Sequence, residues 1–364
     1  MRRSDLNVQG PRSGTTLYAV VTTFRAILWL EIDLKRRTIR SGVLEQSRGI
    51  YFGLTHCDHR ILVAARNLDI EGRVQSPNLE TNTICSLDVN RATVVPVLTH
   101  ECLRDLHQIR AIERWLCVVL GEGSQIAVFD RSSWRLVRLI DLTPLVPAHL
   151  QHEAPERRPS DHYHFNSLTF RGNRAFVLAH NWDYGSFALE LEMEWKSQGP
   201  GRVQLIAVHQ ALGREAHDVV HDRDTLHVLD SAHGVLILRS RSEHRLALSR
   251  VAATTFARGM ALSRDYILVC YGIWSAEKSG RARTESRVCV IDRTTKETIL
   301  DAAFGNWGNP CDILLLSTRD LSDQPSFSFR RALARLFTLP PPERFRSSIC
   351  PGLNARQAVT PYPL

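Results

Sequence analysis

Short apolar runs of five to eight residues recur along most of the chain. They are rich in Val, Ile and Leu, and Asp, Gly, Asn and Arg separate them. Helical periodicity is almost absent between residues 17 and 317. Runs of this length and composition are typical of β-strands. The pattern therefore predicts an all-β fold.

Most of the predicted strands fall into five sets of four. Set by set, their ranges are 49–54, 60–66, 83–88 and 93–98; 108–112, 116–120, 125–130 and 135–141; 167–170, 175–179, 185–193 and 203–209; 218–221, 225–229, 235–239 and 246–251; and 259–262, 266–271, 287–292 and 297–301. Four antiparallel strands that repeat every roughly 40 to 60 residues are typical of propeller blades.

Three further strands lie between residues 17 and 45, and an isolated one lies at 312–316. If these four strands pair, they complete a sixth blade and leave no exposed sheet edge in the ring. The sequence therefore predicts a six-bladed β-propeller, closed by pairing a C-terminal strand with three N-terminal strands. We assign residues 16–318 to this propeller.

The two ends of the chain differ from the repeat. Residues 1–15 are rich in Arg, Ser and Gly and predict a disordered tail. Residues 319–364 form a C-terminal extension, in which 329–337 predict a short basic amphipathic helix. Such a helix either packs on the outside of the ring or serves as a membrane or partner anchor.

Composition narrows the functional classes. With 43% hydrophobic and 23% charged residues, the 364-residue chain resembles an ordinary soluble protein. No apolar leader segment and no uncharged apolar run of about 18 residues occur, so we expect a cytoplasmic protein without a membrane partner. Eight scattered cysteines without a C-x-x-C motif predict buried, reduced thiols. The net charge of +8 comes from dispersed arginines, which argues against nucleic acid as a partner.

Polar residues precede the apolar part of several predicted first strands. In the stretch 161–168, His164 and Asn166 are two residues apart. Every second side chain of an extended strand shares a face, so these two point the same way. The stretches that begin at Asp105 and at Glu215 repeat the arrangement, each with a histidine two residues later. Three strand starts of this kind indicate one shared pocket.

The first strand of each propeller blade lines the central channel. Alignment of the six first strands by their apolar cores brings to one level Arg48, His107, Asn166, His217, Arg258 and Cys311. Two residues earlier, on the same face, come Gln46, Asp105, His164, Glu215, Phe256 and Asn309. The sequence therefore predicts a ring of polar and ionisable side chains around the axis.

The histidines of this ring suggest metal chemistry. His107, His164 and His217, with Glu215 or Asp105, provide imidazole and carboxylate ligands that suit a divalent metal: Fe, Zn, Mn or Cu. Open coordination positions would accept water or substrate. Without a metal, His164 or His217 beside Glu215 would act as a general acid or base. The alternative is that these side chains only bond to one another and to water.

Arginines at the same level favour an anionic ligand. Arg48 and Arg258 are suited to bidentate hydrogen bonds with a carboxylate or phosphate. Second strands end at the same rim and present His180 and Tyr271 there, together with Arg66 and Glu122. The long connections 67–82, 143–163 and 273–286 leave from this face and indicate a covered pocket. The predicted substrate-binding residues are Arg48, Arg258, Asn166, His180 and Tyr271.

Three segments carry a resemblance to a known family, namely 161–168, 256–261 and 309–313. In these segments the chain resembles an uncharacterised family of bacterial six-bladed propellers, known only as conserved hypothetical proteins. The resemblance implies the fold and a role for the ring, and it implies no substrate. By architecture alone the chain is similar to lactonase and strictosidine-synthase-like propellers. Their calcium sites use Asn, Asp and Glu, whereas His predominates here.

Two functions follow from these residues. The first is a soluble enzyme with a His-rich, metal-dependent site at the channel mouth, a hydrolase or an oxygenase-type enzyme that acts on a small anionic metabolite or natural-product intermediate. In that function His164, His217 and Glu215 are the catalytic residues. The second is a non-catalytic ligand-binding or protein-interaction propeller that uses the same rim.

Overall fold

A computed structural model describes residues 16–46, 49–58, 60–66, 82–89, 91–156, 158–248, 255–275 and 278–316. The predicted tail 1–15 and the C-terminal extension with its helix lie outside these residues. Six four-stranded antiparallel sheets make up the described part, so the predicted six-bladed β-propeller is confirmed. Among the described residues, no helix has the length and apolar character needed to cross a membrane.

The strands succeed one another in chain order, four to a blade. Blade 1 contains β1 (Thr16–Thr23), β2 (Ala26–Asp33), β3 (Thr38–Gln46) and the last strand, β24 (Pro310–Leu315). Blade 2 contains β4 (Ile50–Cys57), β5 (Arg60–Arg66), β6 (Asn82–Asp88) and β7 (Thr93–Thr99). Blade 3 contains β8 (Leu106–Ile112), β9 (Trp115–Leu120), β10 (Gln125–Asp130) and β11 (Leu136–Asp141).

The other three blades follow the same plan. Blade 4 contains β12 (Phe165–Arg171), β13 (Arg174–Ala179), β14 (Phe187–Lys196) and β15 (Gly199–His209). Blade 5 contains β16 (His217–Asp222), β17 (Thr225–Asp230), β18 (Val235–Arg239) and β19 (Glu243–Ala247). Blade 6 contains β20 (Thr255–Leu262), β21 (Tyr266–Ile273), β22 (Ser286–Asp292) and β23 (Thr298–Gly305). The helices are short: Thr143–Leu145, Ala148–Leu150, Trp182–Tyr184 and α1 (Lys278–Arg281).

Blade 1 closes the ring as predicted. The C-terminal strand β24 pairs antiparallel with β1, so that Ile313 lies opposite Val21 and Leu314 opposite Val20. β24 thereby becomes the innermost strand of blade 1 and contacts the inner strands of blades 2 and 6. Because the first and last strands share one sheet, the array has no free end at this point.

Apolar layers between neighbouring blades hold the ring together. In the second strands both faces are covered, and every residue of β9 is buried. Outer strands are half exposed, as in β11, where Arg138 and Leu139 face solvent. Side chains such as Val119, Phe165 and Leu189 share one core between blades 3 and 4. This burial explains why the second strands have continuous apolar sequences whereas the outer ones alternate.

Inside the channel, six equivalent residues of the inner strands form a layer that we call the collar. The collar consists of Gly53, Gln108, Ser167, Asp218, Gly259 and Asp312. Each lies at an interruption of the pairing between an inner strand and its second strand, as β-bulges produce. The bulge turns the side chain toward the neighbouring blade.

Four collar side chains accept a backbone N–H from the next blade. The four bonds run from Leu168 N to Gln108 Oε1 (2.6 Å), from Asp218 N to Ser167 Oγ (2.8 Å), from Met260 N to Asp218 Oδ2 and from Leu54 N to Asp312 Oδ2 (2.8 Å). The remaining two members are glycines, because the next strand approaches directly. A Cβ on Gly53 would lie 2.7 Å from Gln108 Cα, and one on Gly259 2.8 Å from Asp312 Cα.

The predicted alignment of the inner strand of blade 2 was wrong, as the position of Gly53 in the collar shows. The sequence predicted Arg48-Gly49-Ile50 at the level of Arg258-Gly259-Met260, but the structure places Phe52-Gly53-Leu54 there. Both segments contain a glycine before an apolar residue, so the local pattern does not separate them. Contact with the neighbouring strand selects Gly53. Arg48 itself lies outside the described residues.

Candidate functional site

The channel opens at one face into a cavity of about 360 Å3, which we call the mouth cavity. Its lining consists of Phe24, Ile50, Phe52, Arg66, Asp105, His107, Glu122, Arg158, Pro159, Ser160, Asp161, His164, Arg258 and Arg281. Most of these residues lie at the starts of inner strands, the ends of second strands, or the connections of that face. The connection between β11 and β12 contributes five of them, residues 158–161 and His164. A polar pocket at this rim was the expectation from the sequence.

Asp105, His107 and His164 form a buried group of potential metal ligands, with one donor atom of each within 4.8 Å of the others. Asp105 Oδ2 lies 3.5 Å from His164 Nδ1 and 3.7 Å from His107 Nε2. Four ligands placed tetrahedrally at ~2.1 Å from a zinc ion are about 3.4 Å apart. Asp105 Oδ2 and His107 Nε2 are buried and have no hydrogen-bond partner among the described residues. The donor types, spacing and unpartnered atoms therefore fit a divalent metal.

Gly121 leaves open space in front of these donors. A Cβ at this position would lie 2.5 Å from Asp105 Oδ2 and 3.1 Å from His164 Nδ1. Gly121 does not adopt a left-handed conformation, and its N–H bonds to the Asp105 carbonyl oxygen. A side chain would therefore be excluded by the ligand group and not by the backbone. The absence of a side chain keeps a small space free beside two of the three donors.

Charged neighbours hold the group in place. Arg66 forms an ion pair with Asp105 Oδ1, and Asp161 Oδ2 lies 2.7 Å from His164 Nδ1. Arg158 lies 3.5 Å from Asp161. Burial acts to raise the pKa of Asp105, but Arg66, His107 and His164 together hold it well below its usual value. Asp105 is thus an ionised carboxylate, the form that binds a metal.

Four histidines form a row along the mouth. The ring centroids of His107 and His164 are 4.8 Å apart, those of His164 and His180 5.4 Å, and those of His180 and His217 5.5 Å, with each ring nearly perpendicular to the next. Burial lowers the pKa of His107 to about 3 and places those of His180 and His217 well below the usual value. These three imidazoles are neutral at physiological pH. Neutral imidazole is the form that accepts a hydrogen bond or ligates a metal.

His217 is bound to Arg258 and lies outside the metal-ligand group. Its Nδ1 lies 2.7 Å from the Glu215 carbonyl oxygen, which assigns the proton to Nδ1. Nε2 is then free to accept a hydrogen bond from Arg258 Nη2 at 2.6 Å. The Glu215 carboxylate lies 3.9 Å from His180 Nε2. Of the four predicted metal ligands, the structure brings together His107 and His164, and Asp105 completes their group in the described residues.

Strained backbone marks three of the mouth residues. Asp105, His164 and Glu215 have φ values of 45°, 49° and 49°. Left-handed conformations are uncommon for residues with a side chain, and they concentrate at functional sites. The three positions lie at the entries to the inner strands of blades 3, 4 and 5. Asp105 and His164 immediately precede β8 and β12, and Glu215 lies two residues before β16. The strained backbone conformation is therefore a feature that these three blades share at the mouth.

Three predicted substrate-binding residues do not line the mouth cavity: His180, which belongs to the histidine row, and Asn166 and Tyr271. Asn166 donates to the Ala216 carbonyl oxygen and accepts from Ser167, and it faces a separate cavity of about 20 Å3 deeper in the channel. The hydroxyl of Tyr271 donates to Asp301 and accepts from Arg287, within blade 6. Both side chains have protein partners for their polar atoms.

The structure adds residues that the sequence did not single out. Asp161, Arg158 and Arg281 line the mouth cavity, while Arg66 and Glu122 were assigned to the rim without a role. Asp161 lies three residues before His164, so a D-x-x-H pattern at the strand start was the available sequence evidence. Arg158 and Arg281 lie in connections, where no periodicity predicts which side chain turns inward.

No protein-family model matches the chain, and no curated protein matches it. Similar solved structures include one from a nidogen/laminin complex, with a TM-score of 0.54 and 12% identity over 83% of this chain and 98% of that one. A candidate 6-phosphogluconolactonase from Bacteroides fragilis has a TM-score of 0.52 and 11% identity, covering 85% and 100% of the two chains. Another from Bacteroides uniformis has a TM-score of 0.51 and 13% identity, covering 83% and 100%. These identities support the fold alone, including the predicted architectural likeness to lactonase propellers.

Proposed function

We propose that this protein is a metal-dependent enzyme that acts on a small anionic compound in the mouth cavity. Asp105, His107 and His164 bind the divalent metal in this proposal. The observation that carries it is the fit of this group: an ionised carboxylate and two imidazoles at ligand spacing, with two unpartnered atoms and the free space at Gly121.

The donor set limits the choice of metal. Two imidazoles and one carboxylate with open positions are found in catalytic zinc sites and in non-haem Fe(II) sites, and Mn and Cu also accept such ligands. Asp161 Oδ2 accepts a hydrogen bond from His164 Nδ1, so a metal bound at this nitrogen would replace that proton. Such a metal would lie beside Asp161, whose Oδ1 has no hydrogen-bond partner among the described residues. When bound, such a metal polarises a substrate oxygen or lowers the pKa of water.

The protein's own groups supply orientation and charge. Arg66 fixes one oxygen of Asp105 and leaves the other toward His107 and His164. Arg258 brings a positive charge to the same cavity, where it attracts an anionic substrate. His180, which accepts the Trp182 N–H at Nδ1, carries its proton on Nε2 and is a hydrogen-bond donor beside His164.

Ester and lactone hydrolysis is the reaction class to screen first. A divalent metal held by this group would polarise an ester carbonyl or activate water, and the His180 Nε2–H would donate a hydrogen bond to the substrate. The candidate 6-phosphogluconolactonases share the propeller fold with this chain. Anionic sugar lactones are therefore included among the first substrates, together with simple carboxylated esters.

Elemental analysis tests the proposal. Protein purified without chelators should contain about one equivalent of Zn, Fe, Mn or Cu by plasma mass spectrometry. Gly121→Ala should reduce this to less than about a tenth of an equivalent, because the new methyl group fills the space beside two donors. Gly201→Ala is the matched control: it lies in the β14–β15 hairpin, where a methyl group meets only flexible side-chain ends.

Two results would overturn the metal assignment. One is wild-type protein that retains no metal after incubation with each of the four ions. The other is Gly121→Ala protein that binds the metal as tightly as Gly201→Ala. Either result would leave the arginine-lined cavity as a ligand-binding site without metal chemistry.

A further inference from the structure

Arg258 is a buried cation for which the described residues provide no acidic partner. Arg258 is 8% exposed, and no carboxylate of the described residues lies within 4 Å of its guanidinium. The groups that do contact it are neutral: His217 Nε2 at 2.6 Å, the Cys311 thiol, and the ring of Phe256, whose centroid is 5.1 Å away. Burial lowers the pKa of Arg258 to about 10, so it is still charged at neutral pH.

Two other arginines of the mouth cavity have a carboxylate within 4 Å. Arg66 is paired with Asp105, and Arg158 lies 3.5 Å from Asp161. Arg281, like Arg258, has no carboxylate of the described residues within 4 Å, but Arg281 is only partly buried. Among the arginines of the cavity lining, Arg258 is therefore the buried one that has no counterion in the part of the chain that the structure describes. Burial of such a charge is unfavourable unless a ligand compensates it.

One guanidinium nitrogen of Arg258 is available for a further hydrogen bond. Arg258 lines the mouth cavity, and its buried Nε has no hydrogen-bond partner among the described residues. His217 fixes Nη2, and Phe256 covers one face of the guanidinium, so the group has one orientation. A planar guanidinium edge is complementary to a planar carboxylate, which it binds with two parallel hydrogen bonds.

We propose that the mouth cavity binds small carboxylic acids and that Arg258 binds their carboxylate group. The proposal builds on the proposed function, in which the same cavity holds the substrate. A buried guanidinium without a counterion is complementary to a carboxylate group, which is planar and carries one negative charge. Phe24, Ile50 and Phe52 provide an apolar wall for the rest of the molecule. The volume of about 360 Å3 restricts the substrate to a small one.

Ligand binding to metal-free protein tests this inference separately from the metal. After treatment with a chelator and exchange into a carboxylate-free buffer, the protein is titrated with propionate, benzoate and inorganic phosphate, and binding is followed by calorimetry and thermal shift. We expect one of the carboxylates to raise the Tm of the wild type, and Arg258→Gln to weaken that binding at least tenfold. Arg258→Lys, which retains charge but not the planar edge, should bind with intermediate affinity.

Arg131→Gln is the matched control. Arg131 is also largely buried, but it is paired with Asp58 outside the mouth cavity, and its loss should leave carboxylate affinity unchanged. Equal binding by wild type and Arg258→Gln would overturn the inference, as would stabilisation by phosphate and not by the carboxylates. Carboxylate binding in a protein that never takes up metal would refute the proposed function and support this inference.

A folding defect in Arg258→Gln is distinguishable from a loss of binding. If the guanidinium is kept for a ligand, its removal takes away an uncompensated buried charge, and the Tm of ligand-free protein should not fall. A marked fall in the ligand-free Tm, with wild-type carboxylate affinity in Arg258→Lys, would assign Arg258 a structural role and overturn the inference.

Discussion

Two neighbouring layers of one channel use polar residues in opposite ways. In the collar, each polar atom of Gln108, Asp218 and Asp312 has a hydrogen-bond partner, most often a backbone N–H of another blade. In the mouth, buried atoms of Asp105, His107, Asp161 and Arg258 have no partner among the described residues. Unpaired buried polar groups are unfavourable, and a ligand, an ion or ordered water would complete those of the mouth.

The layers come from adjacent residues of the same strands. His107 and Gln108 are consecutive, as are His217 and Asp218. In each pair the histidine belongs to the row along the mouth, whereas the second residue belongs to the collar. The bulge in each inner strand separates the two directions. The comparison therefore predicts that collar substitutions change stability, whereas mouth substitutions change binding.

The largest effect is expected in the collar. Asp218→Ala removes the carboxylate that accepts hydrogen bonds from Met260 N and Gln108 Nε2. It also removes one of the two carboxylates that lie within 4 Å of Arg110. Loss of one member of a buried charged network typically costs about 3 to 5 kcal/mol. Urea denaturation should show this loss in the free energy of unfolding. Asp224→Ala, an exposed aspartate of the same blade, should change it by less than about 1 kcal/mol.

The metal ligands come next. His107→Ala and His164→Ala should each lower metal affinity at least about 100-fold. Loss of a residue that only hydrogen-bonds to a ligand typically lowers metal affinity about 10- to 100-fold, and loss of a direct ligand should lower it more. Competition with a chromophoric chelator measures the affinity. His244→Ala, on an exposed strand of blade 5, should bind metal as the wild type does. Metal loss in Asp218→Ala with its fold intact would show that the two layers are not separate.

The pH dependence of stability should report the neutral histidines. The pKa of His180 is well below its usual value in the folded protein, largely because of burial, but near 6.5 when unfolded. The unfolded state therefore binds more protons below pH 6.5, so the stability that this histidine contributes is lost as the pH falls. Between pH 7 and pH 5 the loss is about 2 kcal/mol.

His180→Asn should remove that part of the pH dependence while its side-chain oxygen still accepts the Trp182 N–H. Urea denaturation of variant and wild type at pH 5, 6 and 7 measures the difference. The comparison must be made at equal pH, because burial raises the pKa of Asp312 to about 7 and its contribution has the opposite sign. Parallel pH curves for the two proteins would contradict the assignment of a neutral His180.

The smallest effect is expected on the outer surface of the ring. Arg131 Nη2 lies 2.8 Å from Asp58, whose side chain is 67% exposed. Such pairs contribute less than about 1 kcal/mol, and salt screens them. Asp58→Ala should therefore lower the free energy of unfolding only slightly, and the difference should shrink in about 1 M salt. A loss as large as that of Asp218→Ala would remove the contrast between buried and exposed networks.

Much of the architecture was predictable from local pattern. Apolar runs of strand length, their grouping in fours and the single strand at 312–316 determined the six blades and their closure, because strand periodicity and edge pairing are local properties. The same pattern placed His107, His164, His217 and Arg258 at one rim. The local pattern did not predict which partner each of these side chains contacts.

Only the tertiary structure decided which polar residues meet. The sequence did not separate Gly49 from Gly53, whose role depends on the approach of another blade. Nor did it show that Asp105 joins His107 and His164 while His217 binds Arg258. Those contacts depend on the bulge directions and on the connections that bring Asp161 and Arg158 inward. Side-chain direction around a closed ring is a property of all six blades together, so no single strand encodes it.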